Sequence, residues 1–486
     1  MYRWWRLLYG ALESRVVLAC AAAACRLIDV CAGADRRRSL VARATHLLAY
    51  SGWPGHQRGW INQHLARFFS RLDRRLAAPV ASVPRRSPLA RATGSPLRVG
   101  CYGRFSGLLS FPKELFEAFP RDWSLHVYDV EFQGRLARYL EPIAREYRAI
   151  RGATTAFDQS NAEAAAAINR AALDVLLLIG YKTEVYDIAD RVDTPCIAHV
   201  CTGIDLIHHD KVAFHICPQL QADYFMEDDQ LFCGTTRAPL PGSPVYRGFI
   251  PCDERGIVPS RKRWRSRENL IVFHGSLYKA ASPAFLAQIY QLLEADPSLE
   301  FALMGRDDRH ALQLITSLAA KAGVGSRVHY EGAYSATRDA DGRLDDPGWQ
   351  KVLGLLERAR LAPDPWPVIG WSARFEAMLM GAPTVHLALR TDPASWGKMQ
   401  PVVFDSPQLN VDIGTVTSTD DYLPMCRRCL YDEAFADRLA IEQQAVARRS
   451  TDLPGYWRQL SDFYDHWLGT SGVTRRHDEA AHRATA

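Results

Sequence analysis

Apolar residues along this chain fall into two series of short runs separated by amphipathic stretches. The first series opens with Leu97-Arg-Val-Gly-Cys-Tyr102, a helix near 112–119 and the run Ser124-Leu-His-Val-Tyr-Asp-Val130. It continues with a helix over 161–172, the apolar run Leu173-Asp-Val-Leu-Leu-Leu-Ile179 and a strand at Cys196-Ile-Ala-His-Val200. The second series predicts strands at 269–274, 299–304 and 327–330 and helices at 282–294, 308–322 and 349–360. A glycine-led turn at Gly370, an amphipathic helix ending at Gly381 and a buried strand at Pro383-Thr-Val-His-Leu-Ala-Leu389 follow, and a long helical tail completes it. Strand and helix in strict alternation predict parallel sheets with crossover helices. The fold class read from this pattern is α/β, with two Rossmann-like domains facing a cleft.

The flanks differ from the core of the chain. Residues 1–95 read as a helical segment and linker: Ala, Leu and Arg dominate, Trp4, Trp5, Trp53 and Trp60 lie among basic residues, and Pro84, Pro88 and Pro96 mark the linker. The domain reading is then 96–250 for the first Rossmann-like domain, 266–470 for the second and 471–486 for a polar, flexible tail. The apolar run Val16–Cys25 is half the length that crosses a bilayer, so a packed helix is expected there. The same segment would serve either peripheral membrane contact or oligomerisation through residues 1–90, against the plainer alternative of packing on the neighbouring domain.

Composition is that of a globular protein, 48% hydrophobic and 23% charged, with a net charge of +5. So small an excess argues against dedicated nucleic-acid binding and favours an anionic substrate or membrane surface. Eleven scattered cysteines make no disulfide framework, which favours a cytoplasmic setting, peripheral to the inner membrane face if the N-terminal segment docks there. Cys426-Arg-Arg-Cys429 is a lone pair on a helix and reads more readily as buried packing than as a metal site.

Two segments carry the candidate chemistry. Phe273-His-Gly-Ser-Leu-Tyr-Lys279 follows a strand, placing Lys279 on a loop at a carboxyl end, where open α/β sheets bind ligands. A helix starting after Gly370 points backbone N–H groups at whatever precedes it, a favourable place for a diphosphate. Glu376, on the first turns of that helix, could accept from ribose hydroxyls. For an acceptor base the richest cluster is His199 to Asp210, in which Asp205 and His208 rank first and His215 reads as a packed strand residue. No Asp-x-Asp motif stands where it would hold a divalent ion beside a diphosphate, so no metal site and no cofactor are expected.

Four local patterns, in order over roughly 97–470, resemble the O-linked N-acetylglucosamine transferases of protein Ser/Thr and their SPINDLY-like relatives, which have the GT-B type architecture. They are Leu97-Arg-Val-Gly with Pro112; Ile168 to Tyr181 running on to Thr194-Pro-Cys-Ile-Ala-His-Val-Cys-Thr-Gly203; Leu277-Tyr-Lys279 with Pro283; and Asp364-Pro-Trp-Pro-Val-Ile-Gly370 to Pro383. The resemblance implies inverting, metal-independent transfer of a sugar from a UDP-sugar cosubstrate to a protein or glycan acceptor. Lys279 matches the lysine that neutralises the diphosphate, Gly370, Trp371 and Ser372 match the phosphate-facing turn, and Glu376 matches the acidic residue at the ribose. His274 and Ser276 flank the same site.

This chain departs from that family at several positions. Trp371-Ser-Ala373 stands where the family has His-Thr-Thr, Ser276 stands for a glutamine, a first-loop histidine is missing, and the family's tetratricopeptide array is missing or reduced to the short N-terminal segment. A nucleotide-sugar epimerase of the same fold and a non-catalytic assembly partner are the alternative readings.

Overall fold

The computed structural model describes residues 83–88, 94–103, 113–130, 140–150, 159–179, 183–200, 209, 211–216, 220–221, 224–227, 230–233, 245–246, 257–305, 308–334, 346–366, 370–388, 404–405 and 409–470. The expected N-terminal helices and C-terminal tail lie outside these residues.

The first lobe is a seven-stranded, all-parallel sheet. Its strands are β1 (Arg98–Gly103), β2 (Ser124–Asp129), β3 (Glu146–Ala149), β4 (Val175–Ile179), β5 (Cys196–Val200), β6 (Val212–Ile216) and β7 (Val245–Tyr246), in the order β7-β6-β5-β4-β1-β2-β3. Every residue of β4, β5 and β6 is buried, as expected of parallel strands covered on both faces. On one face Tyr102, Leu176, Leu178 and Ile197 pack with residues of α2 (Gln159–Ala171) and α3 (Thr183–Arg191). On the other, Val99, Cys101, Val127 and Leu177 pack with Phe116 of α1 (Lys113–Glu117). β3 and α3 are absent from the sequence reading, which places His215 of β6 in a strand without giving that strand bounds.

The second lobe contains β8 (Glu268–His274), β9 (Glu300–Met304), β10 (Val328–Tyr330) and β11 (Ala359–Leu361), parallel in the order β10-β9-β8-β11. Its helices start where local chemistry starts them. In α5 (Pro283–Ala295) Ser282 caps the N–H of Phe285 and proline takes the first turn, and Asp308 caps Ala311 at the head of α6 (Arg309–Lys321). Asp346 caps Gly348 at the start of α7 (Pro347–Arg358). The stretch expected as a strand over 383–389 runs beside the continuation of β11, Ala362 N–H donating to Pro383 O at 2.9 Å and Asp364 N–H to Val385 O at 3.0 Å. Only β12 (His386–Leu387) is formal strand, paired with β13 (Thr415–Val416).

Between β11 and β12 lies the short helix that follows Gly370, α8 (Trp371–Leu379), and after β13 come α9 (Thr419–Tyr431), α10 (Glu433–Arg449) and α11 (Leu453–Thr470). The last of these, expected within the 266–470 span, packs on the first lobe. Tyr456, Trp457, Leu460, Tyr464 and Trp467 form one stripe and join the core beneath β1, β2 and β4. The indole N–H of Trp457 donates to Leu115 O at 2.8 Å, and its ring meets Phe119 edge-on at 4.8 Å. The reason is geometric, since the first sheet offers an apolar face that α1 alone is too short to cover. Among the described residues no helix is long and apolar enough to cross a membrane.

Candidate functional site

β8 carries the first edge of the site. Its apolar residues are buried in the centre of the second sheet, so its carboxyl end at His274 is held firmly. The chain then turns at Gly275, whose φ of +128° suits glycine and whose N–H donates to Met304 O at 3.0 Å. Gly305 lies against this turn so closely that a Cβ there would meet Gly275 O at 1.8 Å. Ser276 occupies the N-cap position of α4 (Leu277–Ala280), a single helical turn, without capping it through its side chain.

Lys279 therefore differs from the expected loop residue. It sits in α4 between buried Leu277 and Ala280 and is half-buried. Burial lowers its pKa below the usual lysine range, and the negative charge of Asp364 acts in the opposite sense. The cause of the difference is that Leu277 and Ala280 must reach the core, which winds the segment into a turn.

The second edge is the start of α8. Gly370 is its N-cap residue and no side chain caps it, so the first N–H groups of the helix point out of its end. The Gly370 N–H itself donates to Oδ1 of Asp364 at 2.6 Å. Oδ2 of the same carboxylate accepts from Nδ1 of His386 at 2.8 Å, and the Tyr422 hydroxyl donates to Asp364 O at 2.7 Å. Asp364 and His386 are both buried. Neither was singled out from the sequence; the available signal was one acidic residue within the otherwise apolar and proline-rich stretch Leu361–Trp366.

The two edges meet. A Cβ on Gly275 would lie 3.8 Å from that of Ala373, and Nε2 of His274 bonds Oε2 of Glu376 at 2.8 Å. Both of these side chains are about 3% exposed. Glu376 is thus engaged by an imidazole and not open to solvent. Beside them lies a small, open pocket bordered by Phe273, His274, Asp364, Pro365, Ala373 and Arg374. The Arg374 guanidinium donates to Leu409 O and to Asn410 Oδ1, the latter at 3.0 Å. At the far end of α8, Arg267 donates to the carbonyls of Leu356, Glu357, Ala359 and Met380, holding α7 and α8 together. Burial lowers its pKa to about 10. Ser372 lies in the first turn of α8 and is partly exposed.

On the first lobe, Asp205 and His208 lie outside the described residues. Their neighbour His209 is structural, with Nε2 on Asp190 Oδ1 at 3.1 Å and Nδ1 accepting from the Lys211 N–H at 3.0 Å. His215 lies in β6, buried, its Nδ1 3.1 Å from Nδ1 of His199 in β5. Cys426 and Cys429 are both buried in α9, and burial pushes the Cys429 thiol up to about 12. Among the described residues no cluster of three or more His, Cys, Asp or Glu side chains could hold a metal ion.

No protein-family profile and no curated protein sequence matches this chain. Solved structures do resemble it. An O-GlcNAc transferase mutant from Thermobaculum terrenum superposes with a TM-score of 0.56 at 16% identity, over 83% of this chain and 73% of that one. A glycosyltransferase from Rickettsia africae gives 0.50 at 10% identity, over 78% of this chain and all of its own. Anabaena HepE in complex with UDP and glucose gives 0.50 at 12% identity, over 76% of this chain and all of its own. The fold is therefore GT-B type, with two Rossmann-like domains. In that frame Lys279 and the Gly370 turn stand at the carboxyl-end side of the second domain's sheet.

Proposed function

We propose that this protein is a glycosyltransferase that moves a sugar from a nucleoside diphosphate donor, most simply a UDP-sugar, to a protein or saccharide acceptor. The observation that carries the reading is that two segments, about 90 residues apart in sequence, meet through His274 and Glu376 and through Gly275 and Ala373; the first carries half-buried Lys279 and the second an uncapped helix start. Breaking a sugar–phosphate bond builds negative charge on the diphosphate. A fixed ammonium and outward-facing N–H groups stabilise that charge without reorganising.

In this reading Lys279 neutralises the leaving diphosphate and the backbone of Gly370, Trp371 and Ser372 cradles it. His274 and Ser276 line the nucleotide side, with Glu376 bonded behind the imidazole. Direct displacement by an acceptor activated by Asp205 or His208 inverts the anomeric centre, and the lysine supplies the charge that a divalent ion would otherwise supply. The uridine assignment draws support from the fold neighbour solved with UDP and glucose. Cytoplasmic placement, with residues 1–90 bringing the enzyme to a membrane face or to a second copy, completes the proposal.

The test is donor turnover. Purified protein is incubated with a panel of UDP-, GDP- and TDP-sugars, and nucleoside diphosphate release and sugar incorporation into protein and saccharide fractions are followed. Release from one donor class, abolished in Lys279→Met, supports the reading; no release from any donor with any acceptor fraction contradicts it.

A further inference from the structure

The pair formed by His274 and Glu376 is built in a way that a simple ribose-binding carboxylate is not. Both side chains are almost fully withdrawn from solvent, and they meet through Nε2 of the imidazole and Oε2 of the carboxylate at 2.8 Å. The backbone that carries the ring is held as well. Its own backbone ends β8, Gly275 is tied to Met304 O, and Gly305 packs against the turn so tightly that no side chain fits there. Among the described residues Nδ1 of His274 has no hydrogen-bond partner, and the ring borders the pocket shared with Asp364 and Arg374. An imidazole that donates Nε2–H to a carboxylate carries a lone pair on Nδ1, free to accept from a ligand that enters the pocket. The complementary ligand group is a hydroxyl, because phosphate oxygens offer only lone pairs and would meet Nδ1 acceptor to acceptor.

We infer that His274 is a specificity-determining residue that accepts a hydrogen bond from a hydroxyl of the bound sugar nucleotide, with Glu376 acting as the positioning residue that fixes its tautomer and orientation. This rests on the nucleotide-sugar reading of the same pocket. The hydroxyl belongs either to the ribose or to the transferred sugar, and both present the same chemistry.

Calorimetry separates these possibilities. UDP is compared with 2′-deoxy- and 3′-deoxy-UDP, and a UDP-hexose with its 2-deoxyhexose counterpart, on wild type, Glu376→Gln, Glu376→Leu and the double variant His274→Phe/Glu376→Leu. The double variant leaves no buried charge unpaired, so it remains foldable where His274→Phe alone strands a carboxylate. Wild type is expected to favour the hydroxylated ligand of one pair by about tenfold, the worth of one well-made hydrogen bond. Glu376→Gln, whose amide oxygen still accepts from Nε2–H, keeps that preference. Glu376→Leu and the double variant lose it while still binding the diphosphate. The responding pair names the source of the hydroxyl. A preference that survives in the double variant, one lost equally in Glu376→Gln, or none in wild type overturns the inference. A protein that binds no diphosphate at all instead overturns the function on which it rests.

Discussion

The backbone N–H of Gly370 and the carboxylate of Asp364 are joined at 2.6 Å, a contact that folds the chain back over Pro365 and Trp366 before α8 begins. The same carboxylate holds His386, so one buried side chain sets both the start of the site helix and the strand that follows it. Asp364→Ala would strand the Gly370 N–H and the His386 ring. A stability loss of about 2–4 kcal/mol is expected, with diphosphate binding weakened at the same time. Asp364→Asn keeps an oxygen for Gly370 and should be milder; denaturant unfolding of the two variants, read beside their nucleotide affinity, checks the order.

Gly305→Ala tests whether the turn before Lys279 has any freedom. The added methyl would collide with Gly275 O at 1.8 Å, a backbone atom that cannot rotate away. A cost of about 2 kcal/mol or more is expected, together with a displaced Lys279 and a loss of turnover larger than the loss of stability explains. Equal kcat in the variant, measured at a temperature where it is fully folded, would show that the turn does not position the lysine.

Lys279→Met should separate stability from activity. Its folded pKa lies below that of a free lysine, so between the two values the unfolded chain binds more protons and stability rises with pH. Removing the amine removes that slope. The variant should melt no lower than wild type near neutral pH, show a flatter stability profile on the alkaline side, and turn over at least about 100-fold more slowly. Thermal unfolding across pH, paired with a rate assay, reads all three.

Much of this architecture can be read from the chain itself. The strands at 124–130, 196–200 and 269–274 and the helices at 282–294 and 308–322 emerge within a residue or two of the observed bounds, because apolar runs and Ser282 or Asp308 caps are local signals. β3 escapes because Glu146-Tyr-Arg-Ala149 is a partly exposed edge strand without an apolar run. The partner of α11 escapes for a different reason: an apolar stripe announces burial but not against which sheet. The two candidate segments are visible as glycine-punctuated turns, whereas Asp364, His386 and the His274–Glu376 pairing are ordinary residues until the fold brings them together.

The crossing of α11 carries its own prediction. Trp457 is fully buried in the first lobe, with its N–H on Leu115 O. Trp457→Ala should cost roughly 3–5 kcal/mol and destabilise the first lobe, although the substitution lies at the end of the second in sequence. Hydrogen exchange should show lost protection in β1 and β4, with β8 and β9 unaffected; the reverse pattern would contradict the packing described.

The central claim is that Lys279 and the Gly370 helix start hold a nucleoside diphosphate. Titration calorimetry of UDP, GDP, TDP and ADP against wild type and Lys279→Met tests it most directly. The account predicts selective binding of one diphosphate, weakened about 100-fold or more in the variant. Silence across the panel, or a variant that binds as tightly as wild type, would contradict it.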